Sequence, residues 1–396
     1  MFSSSRLRNI TLLVSSTLTV MAGAIIAPAL PEISRAFSHV PQAELLSKLV
    51  LTLPALVIAV MSPVAGVFVD RSGRKKVLLF SLLLYALAGT TGAYLSDIYL
   101  ILAGRVFLGV AVGALMTAVV TLIGDYFEGR QRSRFMGYQA AFAGIGGLLF
   151  ISGGGLLADI SWRGPFWIYG FSLLVMLFAW WFIPEPEKPK PLETEPLTGR
   201  RPWLSFPPMV FLVYGIAFFS MAVFYMIPVQ LPFMLSALDG VTNARIGFAI
   251  AFMNVTAVTM ALNYGRIKAH FSFAGIMALV YVFIAVGYFI ISRTDSYWGM
   301  VGGILVGGLG FGLQMANLNL WLVSLAPPQV RGRLVGYLNA AIFLGMFLSP
   351  VMLQPLIRIS NLQQSFFLTG LILVLAAIAF CLSSCRKNGR AGKDSG

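Results

Sequence analysis

Apolar and polar positions along the chain fall into long blocks rather than into the short alternation of a soluble fold. Twelve apolar runs stand out, at approximately 9–31, 45–67, 77–95, 99–123, 135–158, 165–184, 206–234, 247–264, 273–291, 299–324, 334–356 and 364–383. A helix needs about 20 such residues to cross the hydrocarbon core of a bilayer. A strand of a membrane barrel needs only about 10, alternating in polarity. Backbone N–H and C=O groups cannot face lipid unpaired, so each run predicts a membrane-spanning helix. The first run follows Arg6 and Arg8 and contains Ala27-Pro28-Ala29, the layout of a cleavable leader. It exceeds the roughly 7–15 apolar residues of a leader, and its loss would leave an odd set of spans, so it reads as a retained first helix.

The longest polar stretch, 185–205, is rich in proline, glutamate, lysine and arginine and reads as a linker. It divides the chain into a first half, 1–184, and a second half, 206–396. The halves are related by an offset of about 199 residues. Gly66 meets Gly265, Gly104 and Gly109 meet Gly303 and Gly308, and Arg134-Phe-Met-Gly137-Tyr138 meets Arg333-Leu-Val-Gly336-Tyr337. An offset kept through several helices and loops predicts two six-helix bundles built as parallel repeats. The expected fold class is therefore an all-α polytopic membrane protein of twelve transmembrane helices in two pseudo-symmetric bundles.

Composition agrees with the pattern: 58% of the 396 residues are hydrophobic and 11% are charged. An ordinary soluble domain carries about 25% charged residues, so a soluble enzyme and a disordered chain are both excluded. The net charge of +14 would suit a nucleic-acid partner were it not for its placement. With the N-terminus in the cytoplasm, 21 of the lysines and arginines fall in inner segments and 6 in outer ones. That bias predicts a multi-pass protein of an inner or plasma membrane with both termini cytoplasmic. The basic clusters then serve topology and anionic lipid, and no nucleic-acid partner is expected. Cys381, Cys385, His39 and His270 supply neither a disulfide framework nor a metal set. No His/Cys dyad, zinc motif or paired carboxylate for an enzyme lies inside a span.

The loop after the second run reads Gly66-Val-Phe-Val-Asp70-Arg71-Ser72-Gly73-Arg74-Lys75-Lys76. It resembles the G-x-x-x-D-R-x-G-R-[RK] signature of the major facilitator superfamily, and with twelve runs and the repeat the resemblance covers nearly the whole chain. Gly66 would let two helices approach closely, Gly73 would allow a tight turn, and Arg74 would clamp a carboxylate, with Asp125 at the inner end of the fourth run as its partner. The resemblance implies that Gly66, Asp70, Arg71, Gly73, Arg74 and Asp125 form a cytoplasmic latch between the halves. The second-half loop, Arg266-Ile-Lys268-Ala-His270, lacks the acid and the second glycine, which makes the latch one-sided.

Arg105 is the one ionisable residue read as lying well inside a run. Inserting it costs about 2.5–3.5 kcal/mol, so it must meet a cavity or a partner, or else snorkel to the outer interface. Arg105, Gly109 and Gly113 share a helix face and resemble the fourth-span pattern of proton-coupled drug exporters, which implies a coupling role. The fifth run resembles the antiporter glycine signature at Gly154-Gly155, but Phe150-Ile151 stands where that signature has Gly-Pro, so the kink is not expected.

Inward-facing aromatic, Met and amide positions are expected to line a substrate cavity: Gln139 on the fifth run, Tyr214, Phe218, Met221 and Tyr225 on the seventh, Asn254 and Thr256 on the eighth, and Gln314, Asn317 and Trp321 on the tenth. Such an uncharged surface suits greasy or amphiphilic organic ligands. No carboxylate lies mid-membrane. Glu32 and Asp159 sit at outer ends, which leaves Glu32, Asp70 or Asp125 to carry a proton with Arg105 tuning it.

The expected activity is export of a drug-like or siderophore-like organic molecule by alternating access, driven by proton antiport without cofactor or metal. Nutrient uptake by the same fold and lipid handling are the alternatives. The expected partners are a small-molecule substrate and membrane lipid, and the expected state is a monomer.

Overall fold

The structure, a computed structural model, describes residues 4–186, 208–326 and 330–391, and the side chain of Asp70 lies outside the described set. Twelve described helices are long and apolar enough to cross a membrane. In the first half they are α1 (Ser5–Ala36), α2 (Ala43–Ser72), α3 (Arg74–Tyr94), α4 (Ile98–Tyr126), α5 (Gly129–Ile160) and α6 (Gly164–Phe182). In the second they are α7 (Pro208–Leu235), α8 (Asn243–His270), α9 (Phe273–Arg293), α10 (Tyr297–Leu325), α11 (Arg331–Ile359) and α12 (Leu362–Ala391). No strand occurs among the described residues.

Most helices outrun the apolar windows because local chemistry, not hydropathy, sets their ends. Asp97 accepts hydrogen bonds from the backbone N–H of Tyr99 and Leu100 and starts α4. Ser272 and Ser296 cap α9 and α10 in the same way. Gly73, at φ +96°, makes the turn between α2 and α3, as its place in the loop requires.

The opening helix of each half is broken midway. α1 is regular to Ala24, tightens into a 3-10 turn at Ala27–Ala29 and resumes at Leu30. α7 is regular to Phe224 and restarts at Met226. Pro28 and Pro228, close to equivalent in the repeat, follow the two breaks and withhold a backbone donor there. α1 packs on α4, α5 and α6, and is thus an integral wall of its bundle. Across the molecule, α2 meets α11 and α5 meets α8.

Six described spans in each half put the first turns of α1 and α7 and the last turns of α6 and α12 on one face, here called the terminal face; the other is the distal face. The halves touch at the distal end. A Cβ built on Gly155 of α5 would lie 2.6 Å from the Asn243 carbonyl oxygen and 3.1 Å from Cα of Gly247, both on α8. Toward the terminal face the same helices diverge: Gly66, Gly137, Gly265 and Gly336, on α2, α5, α8 and α11, would each meet nothing within 4 Å. At Gly66 no close helix approach is present in this conformation: a Cβ there would meet open space. The molecule is closed distally and splayed at its terminal end.

Candidate functional site

A cavity of about 260 Å³ lies between the halves, just beneath the distal closure. α1 contributes Thr19, Val20, Ala22, Gly23 and Ala24, and α2 contributes Leu51, Pro54, Ala55 and Ile58. Facing them are Phe224, Tyr225 and Pro228 from the α7 break, Ile250, Met253 and Asn254 from α8, and Phe343 and Met346 from α11. The two helix breaks meet here, since a Cβ on Gly23 would sit 3.0 Å from the Tyr225 hydroxyl. No charged side chain is part of this lining.

Of the expected lining residues, Tyr225 and Asn254 border this cavity. The Tyr225 hydroxyl and the Asn254 amide make no hydrogen bond among the described residues, so both are unspent polar groups on an apolar wall. The other expected lining residues are not part of this cavity's wall, and several of them spend their polar atoms on helix packing. Asn317 accepts from the Tyr264 hydroxyl at 3.1 Å and donates to the Phe273 carbonyl at 3.0 Å, joining α10 to α8 and α9. Trp321 stacks on Phe273, centroids 5.7 Å apart. Gln314 is fully buried, its Nε2 directed at the Met221 sulfur 3.6 Å away. Thr256 donates to the Met253 carbonyl and fills the space over Gly308. Tyr214 donates to the Leu334 carbonyl and ties α7 to α11. Gln139 and Phe218 stand outside this cavity, half exposed.

Residues missed from sequence dominate the α1 wall. The signal was available: the Gly23–Pro28 stretch breaks an otherwise regular apolar helix, and broken first helices are where transporters of repeated topology place their sites.

Arg105 neither snorkels nor touches this cavity. It is fully buried in the first bundle. Its Nη2 donates to the Gly89 carbonyl of α3 at 2.7 Å. The guanidinium lies 4.8 Å and 4.9 Å from the ring centroids of Phe166 and Tyr169 on α6, a desolvated cation–π arrangement. Gly89 and Gly92 make room for those rings, which press where their side chains would be. Tyr169 in turn donates to the Ala22 carbonyl on the cavity wall, 3.1 Å away, and Tyr85 donates to Leu18 O at 2.8 Å. Gly109, predicted to share the Arg105 function, instead lets α4 close on Pro54 and Val57 of α2. Gly113 is buried on the same helix.

A second fully buried charge corrects the reading of Arg105 as unique. Lys48 of α2 pairs with Glu44 at 2.5 Å and lies 4.9 Å from the Phe233 ring of α7. Its place near the end of an apolar run made it look like an outer-loop residue.

On the terminal face, Arg74 Nε donates to Asp125 Oδ2 at 3.1 Å with the arginine buried. The Glu185 carboxylate accepts from the backbone N–H groups of Arg74 and Lys75 at 2.6 Å and 3.0 Å, capping α3, and the Tyr126 hydroxyl donates to the Pro184 carbonyl. The network binds α3, α4 and the end of α6 to one another. It does not bridge the halves here, which stand apart at this end; Arg71 is exposed beside it. Glu185, assigned from sequence to the linker, is anchored to the first bundle.

At the distal face Glu32 and Asp159 are engaged across the halves. Glu32 Oε1 accepts from Asn243 Nδ2 at 2.6 Å, and Asp159 Oδ1 accepts from the Asn243 backbone N–H at 2.6 Å. Among the described residues no cluster of histidine, cysteine or carboxylate suits a metal ion.

Comparison with known proteins places this architecture. A sequence model of the Major Facilitator Superfamily matches residues 12–350. The Bacillibactin exporter of Bacillus subtilis is 25% identical over 385 residues, covering 90% of this chain and 91% of that protein. The class H tetracycline resistance protein of Pasteurella multocida is 29% identical over 168 residues, 42% of each chain. An MFS-type transporter of Aspergillus terreus is 33% identical over 164 residues, and the match spans only 29% of that protein's length. Among solved structures, a bacterial homolog of the human lysosomal transporter Spinster superimposes with a TM-score of 0.78 at 17% identity, covering 98% of both chains. The D-xylose-proton symporter gives 0.76 at 16% identity over 96% of this chain and 97% of its own; likenesses this remote carry the fold alone. With family match, helix count and fold in agreement, the chain is a multi-pass membrane transporter, not an enzyme, and belongs to the major facilitator superfamily.

Proposed function

We propose that the protein exports a small organic molecule from the cytoplasm by alternating access in exchange for protons, and that the conformation described is open to the cytoplasm. The observation that carries the reading is the cavity between the halves, sealed distally while its four seam helices splay toward the terminal face. The bias of 21 to 6 in basic residues supports a cytoplasmic terminal face. Similarity to the Bacillibactin exporter and to a tetracycline resistance protein supports export over uptake.

The lining narrows the ligand. With no charge on the wall, neither a cation nor a polyanion would recover its desolvation cost. Tyr225 and Asn254 offer one hydroxyl and one amide to an otherwise apolar surface. The substrate class that fits is neutral and largely apolar, with a single carbonyl or hydroxyl edge. Tyr225→Phe and Asn254→Ala are each expected to raise KM for such a substrate about 2- to 12-fold, the worth of one hydrogen bond of about 0.5–1.5 kcal/mol, with kcat little changed. Steady-state flux measures this, and an unaltered KM in both variants removes the two residues from the site.

Direction is tested in everted membrane vesicles, whose interior faces the distal side. Acidifying the interior should drive accumulation of a neutral fluorescent probe. Accumulation by intact cells on external acidification instead would make the protein an uptake symporter.

The Asp70–Arg74 loop and Asp125 are proposed to latch the terminal face in the opposite, outward-open state. Here the Arg74–Asp125 pair keeps the inner ends of α3 and α4 together. Arg74→Ala is expected to reduce transport more than about tenfold, since it leaves the Asp125 carboxylate without its charged partner. Membrane levels measured in parallel should stay within about twofold.

A further inference from the structure

Two carboxylates of the first half sit at the distal closure. α8 begins at Asn243, and the first N–H groups of a helix have no partner within the helix. Asp159, at the end of α5 in the other half, supplies one. Its Oδ1 accepts from Asn243 N at 2.6 Å, and both its oxygens lie 3.3 Å from Ala244 N. Thr242 Oγ1 accepts from the third, Arg245 N, at 3.4 Å. The Asn243 side chain completes the junction, donating to Glu32 Oε1 of α1 at 2.6 Å and to the Ala158 carbonyl at 3.3 Å. Two carboxylates of the first half thus grip the positive end of one helix of the second. Asp159 is exposed and Glu32 half exposed at the distal face, while Asn243 between them is buried, so protons from that side reach both acids.

We infer that Glu32 and Asp159 form an acid-sensitive clasp on the N-terminus of α8, holding the distal gate shut when ionised and releasing it when protonated. Each contact uses the carboxylate as an acceptor. A protonated carboxyl keeps less acceptor strength and no charge to set against the helix end. Closure is therefore linked to proton loss, and by reciprocity low pH on the distal side favours the distally open state.

The other charged or titratable groups on the packed elements are otherwise engaged or exposed. Arg163 donates to the carbonyls of Leu95 and Gly92. Arg245 donates to Gly240 O and lies over the Tyr297 ring. Lys48 pairs with Glu44, and Arg35, His39 and Asp239 are exposed. Neither Glu32 nor Asp159 forms an ion pair among the described residues. The inference rests on alternating access in this fold, and not on the identity of the substrate or the direction of its movement.

The test reads conformation, without substrate or proton gradient, in the purified full chain in lipid nanodiscs. Spin labels at Ser38→Cys and Ala237→Cys, on a background of Cys381→Ser and Cys385→Ser, report distances across the distal face. As pH falls from about 8 to about 3, below the ordinary carboxylate values of about 4, the longer distance should gain at least about threefold over the shorter. The double variant Glu32→Gln, Asp159→Asn should show the acid distribution at both pH values. A wild-type distribution that ignores pH, or a full shift in the double variant, overturns the clasp. Asn243→Ala cuts the Glu32 bond and leaves the backbone bonds to Asp159. It should lower the closed fraction at pH about 8 while keeping a shift with pH, and an unchanged closed fraction would overturn the bridging role of Asn243. Failure of the export reading would leave all three results as they are.

Discussion

Gly155→Val should stop transport almost completely while leaving the protein folded in the membrane. The distal seam is a contact of backbone on backbone: the added Cβ would fall 2.6 Å from Asn243 O and 3.1 Å from the Cα atoms of Ala244 and Gly247. The reciprocal site is as tight, with a Cβ on Gly247 2.8 Å from the Ile151 carbonyl oxygen. A flexible side chain could swing aside; two helix backbones can only part. Overpacking of this kind costs about 1–3 kcal/mol, and here the cost falls on the distally closed state alone, since that state makes the contact. A penalty of that size shifts the balance toward the open state about 5- to 150-fold.

Two measurements separate this from simple misfolding. Transport should drop by about the same factor for every substrate, because the block is conformational. Ala244→Cys, buried in the wild type, should become reactive toward a membrane-impermeant maleimide from the distal side once Gly155→Val is added. Near-normal flux in Gly155→Val would mean that this seam does not gate the cycle. Gly155→Ala should fall between the two, since it adds the clash with Asn243 O but not the branched methyls.

The same seam shows what a sequence can and cannot disclose here. Twelve spans, the duplication and the basic face were readable because lipid imposes them on every residue of a span: hydropathy, length and loop charge are one-dimensional properties. Gly154 and Gly155 were legible as a glycine pair resembling a family signature, but not their partner, since nothing in the numbering relates 155 to 247. Asn243 was invisible for a like reason. An asparagine opening a helix looks like an ordinary cap, and its role comes from Glu32 and Asp159 arriving from the other half.

The cavity was misread for a different cause. Polar residues inside a span must face away from lipid, and that rule drew attention to Gln314, Asn317 and Thr256. Facing away from lipid is satisfied equally by a neighbouring helix: Asn317 bonds across to α8 and α9, Gln314 points at Met221 of α7, and Thr256 packs over Gly308 of α10. The α1 wall, by contrast, is built of small residues whose value is the room they leave. Only the break at Ala24–Ala27, opposite the break at Tyr225, marks it in the chain.

Arg105→Ala is the second substitution expected to have a large effect, a loss of at least about twentyfold in transport, and the route to that loss differs from contact with the substrate. The arginine is walled off from the cavity by α1. What it holds is Tyr169, whose hydroxyl bonds the Ala22 carbonyl just before the α1 break. The guanidinium is itself unevenly satisfied. Nη2 reaches Gly89 O, two aromatic faces cover it, and Nε and Nη1 have no hydrogen-bond partner. A buried arginine with free donors is costly to insert, and removing it leaves a void between Phe166 and Tyr169 that those rings will tilt to fill.

The tilt pulls Tyr169 off Ala22 and lets the cavity wall move, so KM should rise together with the fall in kcat. Arg105→Lys should rescue little, because an ammonium cannot lie flat between two rings as a guanidinium does. Tyr169→Phe tests the relay directly. It keeps the ring contact, removes the bond to α1 together with the hydroxyl beside the guanidinium, and should reproduce a substantial part of the Arg105→Ala defect, about 3- to 10-fold, on the scale of one buried hydrogen bond. If Tyr169→Phe transports normally while Arg105→Ala does not, the arginine acts by its charge alone, and a direct role in proton coupling becomes the better account of its burial.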